Sequence, residues 1–359
     1  MHSYVLTGIR MGPLVRLLRK NGFTPAPRKL GGLLFLLQNA LWSSILTWRE
    51  KQRFAEKTKS FPVPDDPVII IGHWRTGSTF LHHLLARDDR FISPTLFQCS
   101  FPECFRTAEP FYRPIMGNIV KKRPMDNMDF GFDDAQEDEF AWIKLAPGSP
   151  LLKIIFPDKE EYFINDFQDF IPEEKDKAAW KEQMRLFGAK VSQDTGRTLL
   201  LKNPFHSLRI PFLCEVFPKA RFIHLHRHPY KVAASSLNLW KVMARDNQLI
   251  GKNYIPSLEE VTRGLVKFYD VIERDLSRVP SGRSCEVSYE KLEANPREEI
   301  RMIYDTLGIP FPGETELKIS SQLERVKDFR KNSYTFDEGQ KKQVAELMKE
   351  VFKKYQYKV

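Results

Sequence analysis

Residues 68–87 of this 359-residue chain read as a buried strand, a loop bounded by two glycines, and a helix. Val68-Ile-Ile-Ile71 is β-branched throughout, which is typical of a strand covered on both faces. Gly72 and Gly77 have the G-x-x-x-x-G spacing of a phosphate-binding loop, and a helical run follows from about Ser78 to Arg87. Such a loop turns backbone N–H groups toward an anion, and the helix dipole adds positive charge. The pattern predicts an anion site.

The position of the positive charge in this loop argues against ATP or GTP hydrolysis. Nucleotide triphosphatases place a lysine directly after the second glycine, where it neutralises the outer phosphates. In this chain that residue is Ser78, and the cation of the loop is Arg75. A strand-to-helix turn without a ligand is the alternative. The polar side chains of the loop favour an anion site over that alternative: Arg75, Thr76, Ser78 and Thr79.

A second anion site is predicted where another strand ends. Arg221 to His226 reads as that strand, Arg227 follows it directly, and Pro229 begins a helix, where its missing N–H costs little. Ser235 lies eight residues after Arg227, inside the helix. An arginine fork and a serine hydroxyl could hold one phosphate from two sides. On its own, such a pair is more often an exposed, salt-bridging arginine and a helix-surface serine.

Strands and helices alternate along the chain, which predicts the fold class. Thr198 to Lys202 and Ser284 to Ser288 are two further strands, and a helix runs from about Pro296 to Gly308. This alternation predicts an α/β fold in which helices cover both faces of a parallel sheet. Three prolines between Phe61 and Pro67 mark a break. We therefore divide the chain into a helical N-terminal extension, residues 1–60, and an α/β domain, residues 61–359, which carries both predicted anion sites.

Composition excludes some classes of protein and leaves others open. Phe 27, Tyr 11 and Trp 6 supply enough apolar surface to exclude disorder as the main state. A formal net charge of +10 suits anionic ligands of any kind. Four cysteines are too few for a disulfide scaffold, and their spacing does not predict a zinc site. Reduced structural thiols in a cytoplasmic protein are the expectation for these residues: Cys99, Cys104, Cys214 and Cys285.

The most apolar stretch, Leu33 to Trp48, is interrupted by polar residues and falls short of the ~20 apolar residues that span a bilayer. It also lacks the cleavage site of a signal peptide. We expect a helix packed on the α/β domain, residues 61–359. The alternatives are peripheral membrane contact through residues 33–48, helped by the preceding basic residues, and a spanning anchor as the third choice.

The two anion sites together resemble those of the sulfotransferases that use 3′-phosphoadenosine 5′-phosphosulfate (PAPS). Trp74-Arg-Thr-Gly-Ser-Thr-Phe80 resembles their 5′-phosphosulfate loop, and Arg227-His-Pro with Ser235 resembles their 3′-phosphate motif. Val287-Ser-Tyr-Glu290 looks like the family's Tyr-Glu strand, and Phe329-Arg-Lys331 like its C-terminal basic element. The resemblance runs from about Pro67 to Tyr334. It is closest to the broad branch that includes many bacterial members.

This resemblance implies a P-loop-like fold, PAPS as the co-substrate, PAP (adenosine 3′,5′-bisphosphate) as the product, and no need for a metal. It implies that loop amides hold the 5′-phosphate and that Arg75 also stabilises charge as the S–O bond breaks. It further implies aromatic contacts to adenine and a basic grip on the 3′-phosphate. The implied donor-binding residues are Arg75, Thr76, Gly77, Ser78, Thr79, Phe80, Arg227, Ser235, Tyr289, Arg330 and Lys331.

The catalytic base is where the chain departs from the cytosolic branch of the family. That branch has Lys-Thr-His, whereas the aligned triplet in this chain is Lys202-Asn203-Pro204, so Lys202 is retained and the histidine is missing. His206 is the nearest replacement, and Glu137 is its rival because other branches use a glutamate. A histidine titrates near neutrality, whereas a glutamate base needs burial to raise its pKa. Both candidates stay open. The other histidines near the loops are expected to pack rather than react.

The expected reaction is sulfonate transfer from PAPS to a hydroxyl of a small, apolar acceptor, such as a sterol or another lipid-like alcohol. A glycan acceptor is one alternative, and a P-loop phosphotransferase or a non-enzymatic basic protein are others. We expect no nucleic-acid partner, and the oligomeric state is left open. Aromatic residues between the two loops could wall an apolar acceptor pocket or simply fill the core: Phe97, Phe101, Phe105, Phe111, Tyr112, Phe130, Phe132, Phe140 and Trp142.

Overall fold

The computed structural model describes most of the chain. The described residues are 5–22, 29–116, 121–122, 129–146, 148–157, 172–193, 195–249, 254–327 and 334–359. Arg330 and Lys331, which were predicted to contact the 3′-phosphate, lie outside them.

A five-stranded parallel sheet lies at the centre of the molecule. Its strands are β1 (Val68–Ile71), β2 (Phe91–Ile92), β5 (Thr198–Lys202), β6 (Arg221–His226) and β7 (Ser284–Ser288). They are ordered β2-β5-β1-β6-β7, so β1 pairs with both β5 and β6. A separate antiparallel ladder joins β3 (Lys121–Lys122) to β4 (Asp129–Phe130). The four strands predicted from the sequence are confirmed, and the short β2 is the strand of this sheet that was not foreseen.

Side chains on the central strand alternate between two cores, as the period of a strand requires. Val68 and Ile70 join a core with helices that follow β1 and β7, and Ile69 and Ile71 join a second core on the other face. All four residues are buried. Helices therefore cover both faces of the sheet, as the continuous apolar strand predicts.

Helices make up the layers around this sheet. A 3₁₀ helix, Pro204–Leu208, follows β5 directly. The α-helices are α1 (Met11–Lys20), α2 (Leu30–Ser60), α3 (Ser78–Leu85), α4 (Leu96–Ser100), α5 (Phe105–Met116), α6 (Glu139–Leu145), α7 (Leu152–Ile155), α8 (Glu174–Ser192), α9 (Ile210–Val216), α10 (Pro229–Asn247), α11 (Leu258–Leu276), α12 (Tyr289–Ala294), α13 (Pro296–Thr306), α14 (Gly313–Val326), α15 (Glu338–Leu347) and α16 (Lys349–Lys354).

The N-terminal helices pack on the body of the protein. Helix α2 ends at Ser60, just before the proline-rich break that the sequence predicts. Its Glu50 forms a buried salt bridge with Lys190, 2.7 Å between Oε1 and Nζ, and accepts a hydrogen bond from the backbone of Thr107. Leu33 and Leu36 enter a core shared with α10 and α11. These helices pack into the same cores as the rest of the chain. The division at residue 60 stays a prediction.

The spacing of Val344, Leu347, Val351 and Tyr355 predicts a single amphipathic helix at the C-terminus with these residues on its apolar face. The structure differs from that prediction. Helices α15 and α16 are separated at Met348, whose backbone lies outside the helical region with φ −104° and ψ 20°. Val344 and Val351, on the predicted apolar face, are nevertheless buried. The run therefore docks as expected, but in two segments.

The four cysteines are free thiols in this structure. Cys99, Cys104 and Cys285 are buried, and burial raises the pKa of Cys104 and of Cys285 to about 12. These two thiols are therefore protonated at neutral pH and unreactive. The cytoplasmic location predicted from the cysteines stays a prediction.

Candidate active site

The loop between β1 and α3 needs glycine at both ends. Gly72 has φ +134°, and a Cβ there would lie 2.4 Å from the carbonyl oxygen of Leu225 on the neighbouring strand. Gly77 has φ +97°, and a Cβ there would lie 2.1 Å from Cδ2 of Tyr289. Any side chain would clash at either position, so the G-x-x-x-x-G spacing reflects tight packing of the loop against β6 and the Tyr289 ring.

Polar contacts inside the loop hold its shape. The Thr76 hydroxyl donates to the carbonyl of His73 at 2.8 Å, and the Gly72 amide donates to Ser207 Oγ at 2.9 Å. Nδ1 of His73 lies 3.0 Å from the Trp74 carbonyl oxygen. Burial lowers the pKa of His73 to about 4, so this imidazole is neutral at pH 7. The positive charge that the loop offers an anion therefore comes from Arg75.

The loop rests on an aromatic floor. The Trp74 ring meets the rings of Phe205, Trp240 and Phe268 edge to face, with centroid distances of 4.6, 5.2 and 5.4 Å. Such edge-to-face contacts add stability beyond the buried area alone. Trp74 thus anchors the loop to α10, α11 and the 3₁₀ helix.

The two predicted anion sites meet in space. Arg75 Nε donates to Ser235 Oγ at 2.8 Å, although the two residues are 160 positions apart. Arg227 Nη1 donates to the backbone carbonyl of Arg75 at 3.2 Å. Because β1 and β6 are adjacent and parallel, their carboxyl ends open at the same edge of the sheet. Two guanidinium groups and a hydroxyl therefore converge beside the N-terminus of α3, which is an arrangement suited to an anion with two phosphates.

Tyr289 closes one side of this pair of sites. The guanidinium carbon of Arg227 lies 4.3 Å from the centroid of the Tyr289 ring, a cation–π contact. Phe80 meets the same ring at 6.5 Å between centroids. The two aromatics that the family resemblance assigns to adenine are thus neighbours beside the loop.

The C-terminal tail supports the turn that carries Arg227, a feature that the sequence did not reveal. Glu290 accepts hydrogen bonds from the backbone N–H of His228 and from the Tyr357 hydroxyl, each at 3.0 Å. Nδ1 of His226 lies 2.8 Å from the same hydroxyl. His226 therefore contacts the tail directly, and His228 is linked to it through Glu290. The contact depends on how the chain turns after α16, at Gln356 with φ +55°, and no local pattern in the sequence signals it.

A lysine–glutamate pair lies on the other side of the loop. Lys202, the last residue of β5, forms a salt bridge with Glu137, 2.6 Å between Nζ and Oε1. The same Nζ lies 3.4 Å from Oγ1 of Thr79. The Lys202 side chain is 2% exposed and the Glu137 side chain 20%. A carboxylate with access to solvent thus stands next to the start of α3.

His206 has different surroundings. Its side chain is fully buried, and its Nε2 lies 2.8 Å from Oδ2 of Asp138, which is also fully buried. Trp142 Nε1 donates to the same carboxylate oxygen at 2.9 Å. The structure therefore brings Lys202 into contact with Glu137 and Thr79, whereas it encloses His206 in a buried polar group.

Glu139, the third consecutive acid, belongs to the interior as well. It accepts two hydrogen bonds from the Arg209 guanidinium, at 2.7 and 2.9 Å. Asn203 Nδ2 and the Ser149 hydroxyl donate to it, each at 2.7 Å. Bidentate pairing with further donors is what a buried carboxylate needs. This network holds the segment that carries Glu137 against the end of β5.

Four of the nine residues of the predicted aromatic wall belong to the core. These four have at most 4% of their surface exposed and pack behind the sheet: Phe97, Phe101, Phe105 and Trp142. Phe111 is exposed on α5, and the side chain of Phe130 lies outside the described residues. Core filling, the alternative that the sequence also allows, accounts for those four residues.

The histidines near the two loops pack as expected. Nε2 of His82 lies 3.0 Å from Ser93 Oγ, and Nδ1 of His224 lies 3.2 Å from Glu286 Oε2. Burial lowers the pKa of His82 well below its usual value. Across the part of the chain that the structure describes, His, Cys, Asp and Glu side chains form no group of three or more that could hold a metal ion.

Comparisons with known proteins give the family. The model of the Sulfotransferase family matches residues 67–313, from the start of β1 to the start of α14. The omega-hydroxy-beta-dihydromenaquinone-9 sulfotransferase Stf3 of Mycobacterium bovis is 33% identical over 357 residues, covering 98% of this chain and 90% of that protein. The same enzyme from Mycobacterium tuberculosis matches equally.

Solved structures agree on the fold. The sulfotransferase STF9 from Mycobacterium avium has a TM-score of 0.72 at 20% identity, covering 100% of this chain and 93% of that one. The sulfotransferase STF1 from Mycobacterium tuberculosis H37Rv has a TM-score of 0.56 at 15% identity, covering 95% and 90% of the two chains. The family model matches about two thirds of the chain, and the relative from Mycobacterium bovis matches nearly all of it. Together with the strand–loop–helix site, these matches show that this chain belongs to the sulfotransferase family.

Proposed function

We propose that this sulfotransferase transfers the sulfonate group of PAPS to the hydroxyl of a lipid-like alcohol. The observation that carries the proposal is the convergence of two anion sites beside a lysine–glutamate pair. Arg75 contacts Ser235 and Arg227 on one side of the loop, and Lys202 contacts Glu137 on the other. One side suits a nucleotide with two phosphate positions, and the other suits proton removal from an acceptor.

The donor half of the proposal assigns each phosphate to its own residues. The backbone amides of residues 76–79, at the start of α3, hold the 5′-phosphate. Arg227 and Ser235 hold the 3′-phosphate, as a charged fork and a hydroxyl do for phosphate elsewhere. Phe80 and Tyr289 contact the adenine. Arg330 and Lys331 complete the grip on the 3′-phosphate in the family resemblance.

In the proposed reaction the acceptor hydroxyl gives its proton to Glu137 while its oxygen attacks sulfur. The bond between sulfur and the 5′-phosphate oxygen breaks, and its electron pair stays on that oxygen. Lys202 and Arg75 neutralise the charge that develops there, together with the loop amides. The products are a sulfate ester, PAP and one proton, which Glu137 releases to water. The charge and the atoms balance without a further reactant.

Glu137 is proposed as the base in preference to His206 on grounds of access. A base must reach the proton that it removes, directly or through one water. The Glu137 side chain is partly exposed beside Lys202, whereas His206 is enclosed by Asp138 and the neighbouring interior. His206 is then a positioning residue, because Asp138 lies next to Glu137 in the chain.

The acceptor class rests on the relatives rather than on the aromatic residues of this chain. The curated relative that matches 98% of the chain is named for a hydroxylated menaquinone derivative, a lipid-like alcohol. Since four of the nine residues of the predicted aromatic wall are buried in the core, the composition argument for an apolar pocket is weakened. A glycan acceptor is therefore the outcome against which the proposal is tested.

Two experiments test donor and acceptor separately. In thermal-shift measurements, PAP should raise the melting temperature more than ATP or AMP at equal concentration; equal shifts would contradict the 3′-phosphate site. Limiting ³⁵S-labelled PAPS is then offered to isoprenoid alcohols, sterols and desulfated glycans together. The proposal expects label in the isoprenoid or sterol fraction and none with a Lys202→Met control. Label mainly in glycans would overturn the acceptor class.

A further inference from the structure

Helix α2 has two faces of opposite character. Its inner face packs on the body of the protein and carries both apolar and polar residues. The buried residues of this face are Leu33, Leu36, Asn39, Ala40, Ser43, Leu46, Thr47 and Glu50. Asn39 accepts a hydrogen bond from the Gly8 amide at 2.6 Å, and Glu50 pairs with Lys190. This face is therefore fixed to the folded domain.

The outer face of α2 is a stripe of large apolar side chains that face solvent. Between 39% and 66% of each residue's surface is exposed, which is unusual for so many large residues on one helix. The spacing of three, four and seven residues keeps them on one side of the helix. At 1.5 Å per residue the stripe is ~27 Å long. We call it the outer stripe; its residues are Leu30, Leu34, Phe35, Leu41, Trp42, Ile45 and Trp48.

The same segment holds nearly all of the net charge of the chain. Residues 1–60 contain eleven Lys and Arg against two acidic residues, Glu50 and Glu56. The remaining 299 residues contain 45 basic and 44 acidic residues, so nine of the ten net positive charges lie in this segment. Several of the basic side chains are exposed on α1 and α2: Arg16, Arg19, Lys20, Arg49, Lys51, Arg53 and Lys57.

We propose that the outer stripe docks on an anionic lipid bilayer, with α2 lying in the plane of the membrane surface. A helix with an apolar face of Leu, Phe and Trp and a surplus of Lys and Arg has the composition that binds such surfaces. The Trp42 and Trp48 rings suit the boundary between headgroups and acyl chains. The basic side chains of α1 and α2 reach the anionic headgroups.

Two other interpretations of the outer stripe fit the structure less well, namely that α2 spans a membrane and that a second copy of the chain packs on the stripe. Helix α2 (Leu30–Ser60) extends beyond the apolar stretch 33–48 read from the sequence, and among the described helices it is long and apolar enough to cross a membrane, contrary to the length argument from the sequence. Crossing would pull Asn39 and Glu50 away from partners that they hold in the folded domain. A second copy of the chain seated on the outer stripe would bring two segments of +9 charge together, which repel. An anionic bilayer meets both the apolar and the charged features.

The tryptophans provide a direct test of this docking. Of the six tryptophans, Trp42 and Trp48 are 53% and 61% exposed, whereas Trp74, Trp142, Trp180 and Trp240 are buried. Intrinsic fluorescence of the full chain is recorded with vesicles of phosphatidylcholine alone and of phosphatidylcholine with about 30% phosphatidylglycerol. Docking should shift the emission to the blue on the anionic vesicles, and brominated acyl chains should quench it. Unchanged emission with both vesicles would overturn the proposal.

A matched pair of variants locates the contact. Leu34→Ser with Ile45→Ser removes two members of the outer stripe and keeps both reporter tryptophans. Leu317→Ser is the control, since Leu317 is 72% exposed on α14, far along the chain from α2. The double variant should lower the vesicle partition coefficient roughly 100-fold, because two apolar contacts are lost. The control variant should leave that coefficient unchanged. Equal losses, or none in the double variant, would contradict docking through the outer stripe.

Two further readouts decide among the occupants. Bound protein should leave the vesicles at high salt or in alkaline carbonate, whereas retention in both would indicate a spanning helix and overturn in-plane docking. Sedimentation without lipid should show the same oligomer for wild type and for the double variant. A dimer that the double variant loses would assign the outer stripe to a second copy instead. None of these readouts uses donor or acceptor, so failure of the docking proposal leaves the proposed function standing.

Discussion

The proposed donor side of the loop, with Arg75 and Arg227, and the proposed acceptor side, with Glu137 and Lys202, are built by different means. On the donor side, Arg75 lies in the loop after β1 and Arg227 directly follows β6, and the two strands are neighbours in the sheet. On the acceptor side, Glu137 is one of three consecutive acids in a segment between β4 and α6. Its position depends on where Asp138 and Glu139 find partners, 68 to 70 residues later in the chain.

This difference explains which residues can be read from sequence. A motif at the end of a parallel strand is placed by the sheet itself, since all strands open at one edge. Three consecutive acidic residues do not indicate where each of their side chains will lie. In the structure, Asp138 contacts the buried His206 and Glu139 contacts the buried Arg209. Glu137 instead pairs with Lys202 and keeps 20% of its side chain exposed. The donor side can thus be identified locally, whereas the acceptor side requires the tertiary structure.

The largest expected effect is on the acceptor side. Lys202→Met removes a cation beside the reacting atoms and leaves Glu137 without its salt bridge, so we expect turnover to fall at least ~10³-fold. Steady-state rates with labelled PAPS measure this loss of turnover. Lys190→Met is the matched control, because Lys190 also forms a buried pair, with Glu50, away from the loop. It should lower the melting temperature but leave turnover per folded molecule unchanged. Similar rates for both variants would contradict the role of Lys202.

Arg75→Ala should reduce turnover by ~10²–10³-fold, because the charge matters most as the S–O bond breaks. The affinity for PAP should change much less, since Arg227 and the loop amides remain. Turnover and PAP affinity are measured on the same preparation. If PAP affinity falls as far as turnover, Arg75 acts in binding alone, and the contrast between the two sides of the loop is smaller than proposed.

Arg227→Ala tests the donor side in isolation. Loss of a charge-assisted contact costs ~1.5–3 kcal/mol, or roughly 10- to 100-fold in affinity. Binding of PAP should weaken by this amount, whereas adenosine 5′-phosphosulfate, which lacks the 3′-phosphate, should be nearly unaffected. Calorimetry with both nucleotides measures the difference. Equal losses for both would remove Arg227 from the 3′-phosphate site.

The smallest effect is expected for Ser235→Ala. A neutral hydroxyl contributes ~0.5–1.5 kcal/mol, so PAP affinity should fall about 2- to 10-fold. Ser236→Ala, one position along the same helix and fully buried, serves as the control. If the control weakens PAP binding as much, the effect belongs to α10 packing rather than to a phosphate contact.

Much of the fold could be predicted, because its signals are local. Four strands, the break before β1 and the helix starting at Pro229 all follow from runs of a few residues. The break at Met348 and the tail contact between Tyr357 and Glu290 could not be predicted. Both depend on what the C-terminal segment packs against, and a single sequence carries no signal for that.

The choice of base shows the same limit in the site itself. His206 is a reasonable candidate from its spacing to Lys202 and from the usual pKa of histidine. Burial of its side chain, and its contact with Asp138, arise from a pairing across 68 residues that spacing along the chain does not reveal. Access to solvent, which a catalytic base needs, is a tertiary property.

The most direct test compares Glu137→Gln with His206→Gln in single-turnover transfer from ³⁵S-labelled PAPS. Both changes keep side-chain size similar, and PAP-induced stabilisation confirms that each donor site is intact. We predict that Glu137→Gln lowers the transfer rate ~10²–10⁴-fold, the range for a lost general base. His206→Gln should retain most of the rate in its folded fraction. A rapid Glu137→Gln enzyme together with an inactive, folded His206→Gln enzyme would contradict the assignment.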